Sequence, residues 1–312
     1  MGVKILSPFD NLSETAALIE AGADELYGGV EPPNWKAGIV SSSQRTFDSA
    51  HFSSEDEFAS AVKLASSVGA RVSITLNAPM YEKRMQPALV ALAKRAEEWG
   101  VKGVVVADPS LILALKDGGV ALELTLSTMA GALNAADFAF YNALGIARAV
   151  LPRHLTISEV KKIVDASPGI TFESFILVGK CPNEEAHCSF QHTSADKRWP
   201  CEIDYNVKNY NNQLFEGHPF IDYLNSWRGC DRRFACGLCA IHPLIDAGVG
   251  VLKLVGRGGP SAGKVENVRL VKRFLEDREL TQADALSAYN ERFGRSCSPL
   301  ICYYPEFHPS RR

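Results

Sequence analysis

The sequence predicts a parallel (β/α)8 barrel of the TIM type, and three features of the chain carry that expectation. Amphipathic helical stretches repeatedly end at a glycine, a short apolar run follows each time, and the runs number eight once the opening segment is included. The opening run is 3–6. The seven that follow are Gly22 before 25–27, Gly69 before 72–76, Gly100 before 104–106, Gly119 before 122–126, Gly145 before 147–151, Gly169 before 172–178, and Gly248 before 251–255. A helix often terminates on a residue in the left-handed conformation, which glycine adopts without a Cβ clash, so the glycines read as punctuation between helix and strand. An open doubly wound sheet would show the same alternation and is the rival architecture. The count of eight favours closure.

With 312 residues, 46% of them hydrophobic, the chain can bury one sizeable core. We therefore expect one barrel over residues 1–279 and a C-terminal extension over 280–312. In such a barrel the active site is built by the segments that follow the strands. Those segments begin at Pro8, Gly28, Asn77, Asp108, Thr128, Arg153, Gly179 and Arg257. Two connections, 30–53 and 180 to about 234, exceed a plain turn, and long loops in compact domains are commonly functional. The second, an insertion over 180–237, carries Trp199, Trp227 and several tyrosines and is expected to cover the catalytic face.

A formal net charge of −3 gives no electrostatic footprint for nucleic acid or an anionic membrane. No run has the apolar length of a membrane span, and the N-terminal segment lacks the layout of a signal peptide. The expectation is a soluble cytoplasmic protein.

All eight cysteines lie from Cys181 onward. In a reducing compartment thiols stay reduced, so metal ligation is a stronger reading than disulfides. Cys181 follows the seventh strand with only Gly179 and Lys180 between. A thiolate held there would suit zinc or an iron–sulfur cluster, and spacing alone does not choose. Cys188, Cys201, Cys230, Cys236 and Cys239 follow. Cys236-Gly-Leu-Cys239 could bring two thiolates to one ion, while Ala240 in place of histidine excludes c-type haem attachment. Cys297 and Cys302, in the tail, read as packing thiols.

The stretch Glu173-Ser-Phe-Ile-Leu-Val-Gly-Lys-Cys181, with Cys188 seven positions on, resembles the signature of the peptidase U32 family, also called collagenase-like proteases. The run from Pro243 to Arg257 is similar to that family's last strand and its approach. The resemblance implies a [4Fe-4S] cluster held by Cys181, Cys188, Cys201 and Cys236, with Cys239 and Cys230 close enough to replace Cys236. It also implies, for some members, hydroxylation of an aromatic ring or RNA base without molecular oxygen, in some cases with prephenate as donor. The chain departs from the family pattern at Val178, Lys180, Ala186 and Val255.

No His-Glu-x-x-His or Gly-x-Ser-x-Gly protease motif is present. The leading expectation is an oxygen-independent hydroxylase acting on a small aromatic molecule. A U32-type peptidase, or a non-catalytic cluster-bearing subunit beside a related chain, are the alternatives. For a carboxylate-bearing donor the expected clamps are Arg153, Lys253 and Arg257. Tyr27, Asp108 and Glu173 are the candidates for proton transfer, with His187 beside Cys188 as a further one and His192 as a zinc-type alternative. Arg45, in the first long loop, could reach an anion from above.

Overall fold

In the computed structural model, which describes residues 2–33, 35, 42–43, 48–181, 184–186 and 234–308, eight parallel strands pair in sequence order and the last closes on the first. They are β1 Lys4–Pro8, β2 Glu25–Gly28, β3 Arg71–Leu76, β4 Gly103–Val106, β5 Glu123–Leu126, β6 Arg148–Val150, β7 Thr171–Leu177 and β8 Val251–Leu254. Closure is set by β1 against β8, with Lys4 opposite Val251 and Leu6 opposite Lys253. The expected barrel is therefore the observed one. The long insertion after β7 lies almost wholly outside the described residues.

The helices of the described residues are α1 Thr15–Glu20, α2 Glu55–Ser67, α3 Gln86–Trp99, α4 Pro109–Asp117, α5 Ala135–Ala143, α6 Ile157–Asp165, α7 Ile241–Asp246, α8 Ser261–Glu276 and α9 Gln282–Phe293. Their starts are written locally. Asn134 with Asp137, Thr156 with Glu159, and Thr281 with Asp284 form reciprocal capping boxes that satisfy otherwise orphaned N–H groups. Their ends are written by the junction glycines, all seven of which hold φ between 71° and 115°. Gly248 shows why no other residue serves there: a Cβ would lie 2.7 Å from Val164 Cγ1, and φ is 93°. No helix among the described residues is long and apolar enough to cross a membrane.

The helix-facing layer is apolar, whereas the barrel lumen carries charge. Arg71 pairs with Glu123 at 2.6 Å near the N-terminal ends of the strands. Arg148 then contacts Glu25 at 2.7 Å and Glu173 at 2.5 Å, and Lys253 reaches the other oxygen of Glu173 at 2.7 Å. A second buried group ties β1 to α8. Lys264 donates to Asp10 at 2.6 Å and to Glu14 at 2.7 Å, and Gly258 N–H donates to Asp10 at 2.6 Å.

The C-terminal segment packs onto the barrel. Tyr289 on α9 donates to the carbonyl of Phe234 at 2.7 Å, and the Tyr304 hydroxyl donates to the carbonyl of Phe175 on β7 at 3.1 Å. Because Lys264 pairs with two carboxylates that are almost fully buried, Lys264→Ala should remove the positive charge from both. We expect a loss of about 3–5 kcal/mol in urea unfolding; a change below about 1 kcal/mol would mean the acids protonate at little cost.

Candidate functional site

At the C-terminal ends of the strands a pocket opens that is lined by Tyr27, Thr75, Asn77, Ser127, Thr128, Met129, Arg153, Phe175, Glu185, Lys253, Val255 and Arg257, with Val105 and Val150 deeper. Of the eight positions that the sequence places just beyond the strands, Asn77, Thr128, Arg153 and Arg257 face it. All three predicted clamps, Arg153, Lys253 and Arg257, are therefore brought together, and Tyr27 joins them.

Each cation is held differently. The Arg153 guanidinium lies 3.5 Å above the Phe175 ring and pairs with Glu185. Burial opposes its charge, but Glu185, Tyr303 and the Cys181 thiol outweigh it, so Arg153 stays protonated. Lys253 lies 4.2 Å over the Tyr27 ring and donates to Glu173. Burial pulls its pKa below the ordinary lysine range, and Glu173 only partly restores it. The Tyr27 hydroxyl donates to the carbonyl of Leu254 at 2.9 Å, which fixes the ring beneath the ammonium.

Two of the proton-transfer candidates have structural partners instead of a place in the pocket lining. Asp108 caps α4 by accepting from Ser110 N–H at 2.8 Å and accepts from Tyr81 N–H at 2.8 Å. Glu173 is 1% exposed and engages both Arg148 and Lys253. Burial raises its pKa, yet the two cations more than compensate and hold it ionised. It reaches the pocket only through Lys253.

The exit from β7 determines where Cys181 goes. Val178 has φ of 57°, a left-handed backbone that costs a β-branched residue on the order of 1–2 kcal/mol. It is held by N–H donation to the Ala235 carbonyl at 2.7 Å, while the Tyr303 hydroxyl donates to its own carbonyl. Gly179 follows with φ of 67°, where a Cβ would sit 2.6 Å from Val255 Cγ1. Lys180 then turns back to donate to the carbonyl of Cys302. These two left-handed residues release Cys181, half-buried, beside Arg153 at the pocket rim.

Cys236 pairs as an antiparallel bridge with Leu177 and as a parallel bridge with Cys302, placing it against the end of β7 and the C-terminal segment. Cys188, Cys201, Cys230, His187, His192 and Arg45 fall outside the described residues. Neither Glu185 nor Tyr303 stands in a motif that marks it in the sequence. Tyr303 is 2% exposed, stacks on Phe175 at 6.4 Å between centroids, and is pushed up to about 12 by burial despite Arg153 nearby.

The chain is 23% identical over 213 residues to tRNA hydroxylation protein P of Escherichia coli K12, covering 66% of this chain and 44% of that protein. It is 25% identical over 262 residues to the 23S rRNA 5-hydroxycytidine C2501 synthase of the same organism, covering 82% and 36%. The chain thus spans less than half the length of these two relatives. Among solved structures, the U32 peptidase Mk0906 superposes with a TM-score of 0.54 at 15% identity, covering 83% of this chain and 94% of that one, which shows a shared fold. The Peptidase family U32 profile matches residues 10–299, and the chain belongs to that family.

Proposed function

We propose that this chain is an iron–sulfur enzyme of the hydroxylase type, which hydroxylates a small aromatic substrate without molecular oxygen and draws the oxygen from a carboxylate-bearing donor such as prephenate. The observation that carries the reading is the convergence of Arg153, beyond β6, and of Lys253 and Arg257, in and beyond β8, on one pocket whose walls also include Phe175, Tyr27 and Met129. Three cations beside aromatic and thioether surfaces suit a small molecule with a ring and a carboxylate. The relatives named for tRNA and rRNA hydroxylation support hydroxylation as the reaction class.

Cys181 is the described residue that fits a cluster at this mouth. It is half-buried, follows rigid strand, and lies near a guanidinium that would stabilise the negative charge of a thiolate-bound centre. Cys188 and Cys201 would complete the set, with a fourth thiolate from Cys236 or one of its neighbours. When bound, such a cluster supplies an electrophilic iron or an electron carrier for oxygen transfer. The chain's own residues do the rest. Arg153, fixed by Glu185 and Phe175, offers a planar fork to a carboxylate. Lys253 holds a proton whose retention depends on Glu173, and Tyr27 braces the ammonium from below.

Anaerobic purification should yield a brown protein with about four iron and four sulfide per chain, and Cys181→Ser should lose both. A colourless protein carrying zinc at that site would overturn the reading. Arg153→Gln should weaken binding of a small aromatic carboxylate about ten- to a hundredfold by calorimetry.

The pH dependence has a defined sign. Lys253 binds an anion while protonated, so its contribution is present below its folded pKa and is lost as pH rises through that value. Glu173→Gln removes the partner that favours the proton and should move the loss to lower pH. Identical binding profiles in the two proteins would remove Lys253 from the site.

A further inference from the structure

The pocket has two unlike sides. Among the described residues, every charged side chain of its lining comes from the arc β6–β8 and the segments that follow those strands: Arg153, Glu185, Lys253 and Arg257. The arc β3–β5 contributes Thr75, Asn77, Ser127 and Thr128, with Val105 and Met129 between them, and these groups are neutral. Asp108, the carboxylate that follows β4, is absent from the lining and spends its two oxygens on Ser110 N–H and Tyr81 N–H. One wall therefore suits an acid, and the other suits an uncharged polar group.

Hydrogen-bond accounting shows what the neutral wall has to offer. Asn77, at the exit of β3, donates through Nδ2 to Ser127 Oγ at 3.1 Å, spanning the end of β4. Ser127 Oγ also accepts from Met129 N–H at 3.2 Å as it caps the 3-10 turn Thr128–Ala130. A hydroxyl has two lone pairs and one proton, so both acceptor positions are filled and the O–H is what remains. No described residue accepts that proton. Thr128 Oγ1 has no hydrogen-bond partner among the described residues, and its oxygen is not sealed in the core. Thr75 Oγ1 donates to the Gly28 carbonyl at 3.0 Å and keeps lone pairs to spare. All three residues are buried, with Ser127 6% and Thr128 8% exposed, and that remnant opens on the pocket they line. Buried hydroxyls ordinarily find partners, and here the partner has to come from the occupant.

The chemistry of that occupant is narrow. A second carboxylate on this side would be buried with no cation beside it, and an ammonium would have no anion. An apolar edge would leave the Ser127 proton and the Thr128 hydroxyl unpaired. A hydroxyl both accepts and donates, so it satisfies Ser127 and Thr128 together.

We propose that the ring held in this pocket belongs to a hydroxyaryl carboxylate, bound with its acid toward Arg153, Lys253 and Arg257 and with its hydroxyl against Ser127 and Thr128. The proposal rests on the reading of the pocket above as a site for a molecule with a ring and a carboxylate. Ser127 and Thr128 are then specificity-determining residues, and Asn77 is a positioning residue that fixes the direction of the Ser127 proton.

The test is calorimetry on the full chain purified anaerobically, with 3- and 4-hydroxybenzoate, benzoate and terephthalate as probes. The tighter of the two hydroxybenzoates should bind wild type about ten- to a hundredfold more strongly than benzoate. Terephthalate, which carries a second acid in place of a hydroxyl, should bind no better than benzoate. Thr128→Val keeps the side-chain shape and removes the hydroxyl; it should cut the preference by about tenfold and leave benzoate affinity within about twofold. Ser127→Ala should act in the same direction, and the comparison of probes on wild type stands if that variant, which loses a turn cap, fails to fold. Equal affinity of wild type for hydroxybenzoates and benzoate, tighter binding of terephthalate, or a preference that survives the Thr128 substitution overturns the proposal. Equal affinities that Arg153→Gln still weakens would leave the carboxylate clamp standing without it. A preference retained by a protein that holds no iron would keep the proposal and sink the cluster reading alone, and failure of all four probes to bind would sink both the proposal and the clamp.

Discussion

Glu173 is the point on which the barrel interior turns. Its two oxygens are divided between Arg148, lower in the lumen, and Lys253, at the floor of the pocket. Burial alone would neutralise such a carboxylate, and two cations at 2.5 and 2.7 Å reverse that, so the pair of acids Glu25 and Glu173 and the pair of bases Arg148 and Lys253 balance inside the strands. A buried network of this kind contributes modestly to net stability, because desolvation offsets most of the attraction. What it secures is position. Lys253 cannot leave the strand face without taking one of the two cations from Glu173, and the pocket therefore has a lysine at a fixed depth whose proton is favoured by a residue outside the pocket lining.

Around that floor the mouth is assembled from distant parts of the chain. The strained Val178 and the left-handed Gly179 persist because the surrounding backbone holds them, through Ala235 on one side and Tyr303 on the other. The same C-terminal segment gives Lys180 its carbonyl partner and lays Tyr303 over Phe175, whose other contact is Arg153. The extension that begins beyond residue 279 thus packs against Phe175, a residue of the pocket wall.

The two thiol groups differ in what surrounds them. Cys181 faces a guanidinium in a half-buried rim, conditions that favour exchange with a ligand. Cys236 and Cys302 are buried, and burial pushes both thiols up.

The eight strands, their order and their closure were legible in the chain, because helix-ending glycines and short apolar runs are local signals with local causes, and so was the family, through the stretch from Glu173 to Cys181. The convergence of Arg153, Lys253 and Arg257 followed from strand ends alone. The partners of those residues did not. Asp108 looked like an acid at the mouth, and only the fold shows it engaged as a cap for α4 and a partner for Tyr81. Glu185 pairs with Arg153 across 32 positions, Tyr303 bonds Val178 across 125, and Cys236 meets Cys302 across 66. Contacts of that span leave no periodicity in a sequence; they exist only once the barrel has closed and brought the C-terminal segment back against β7.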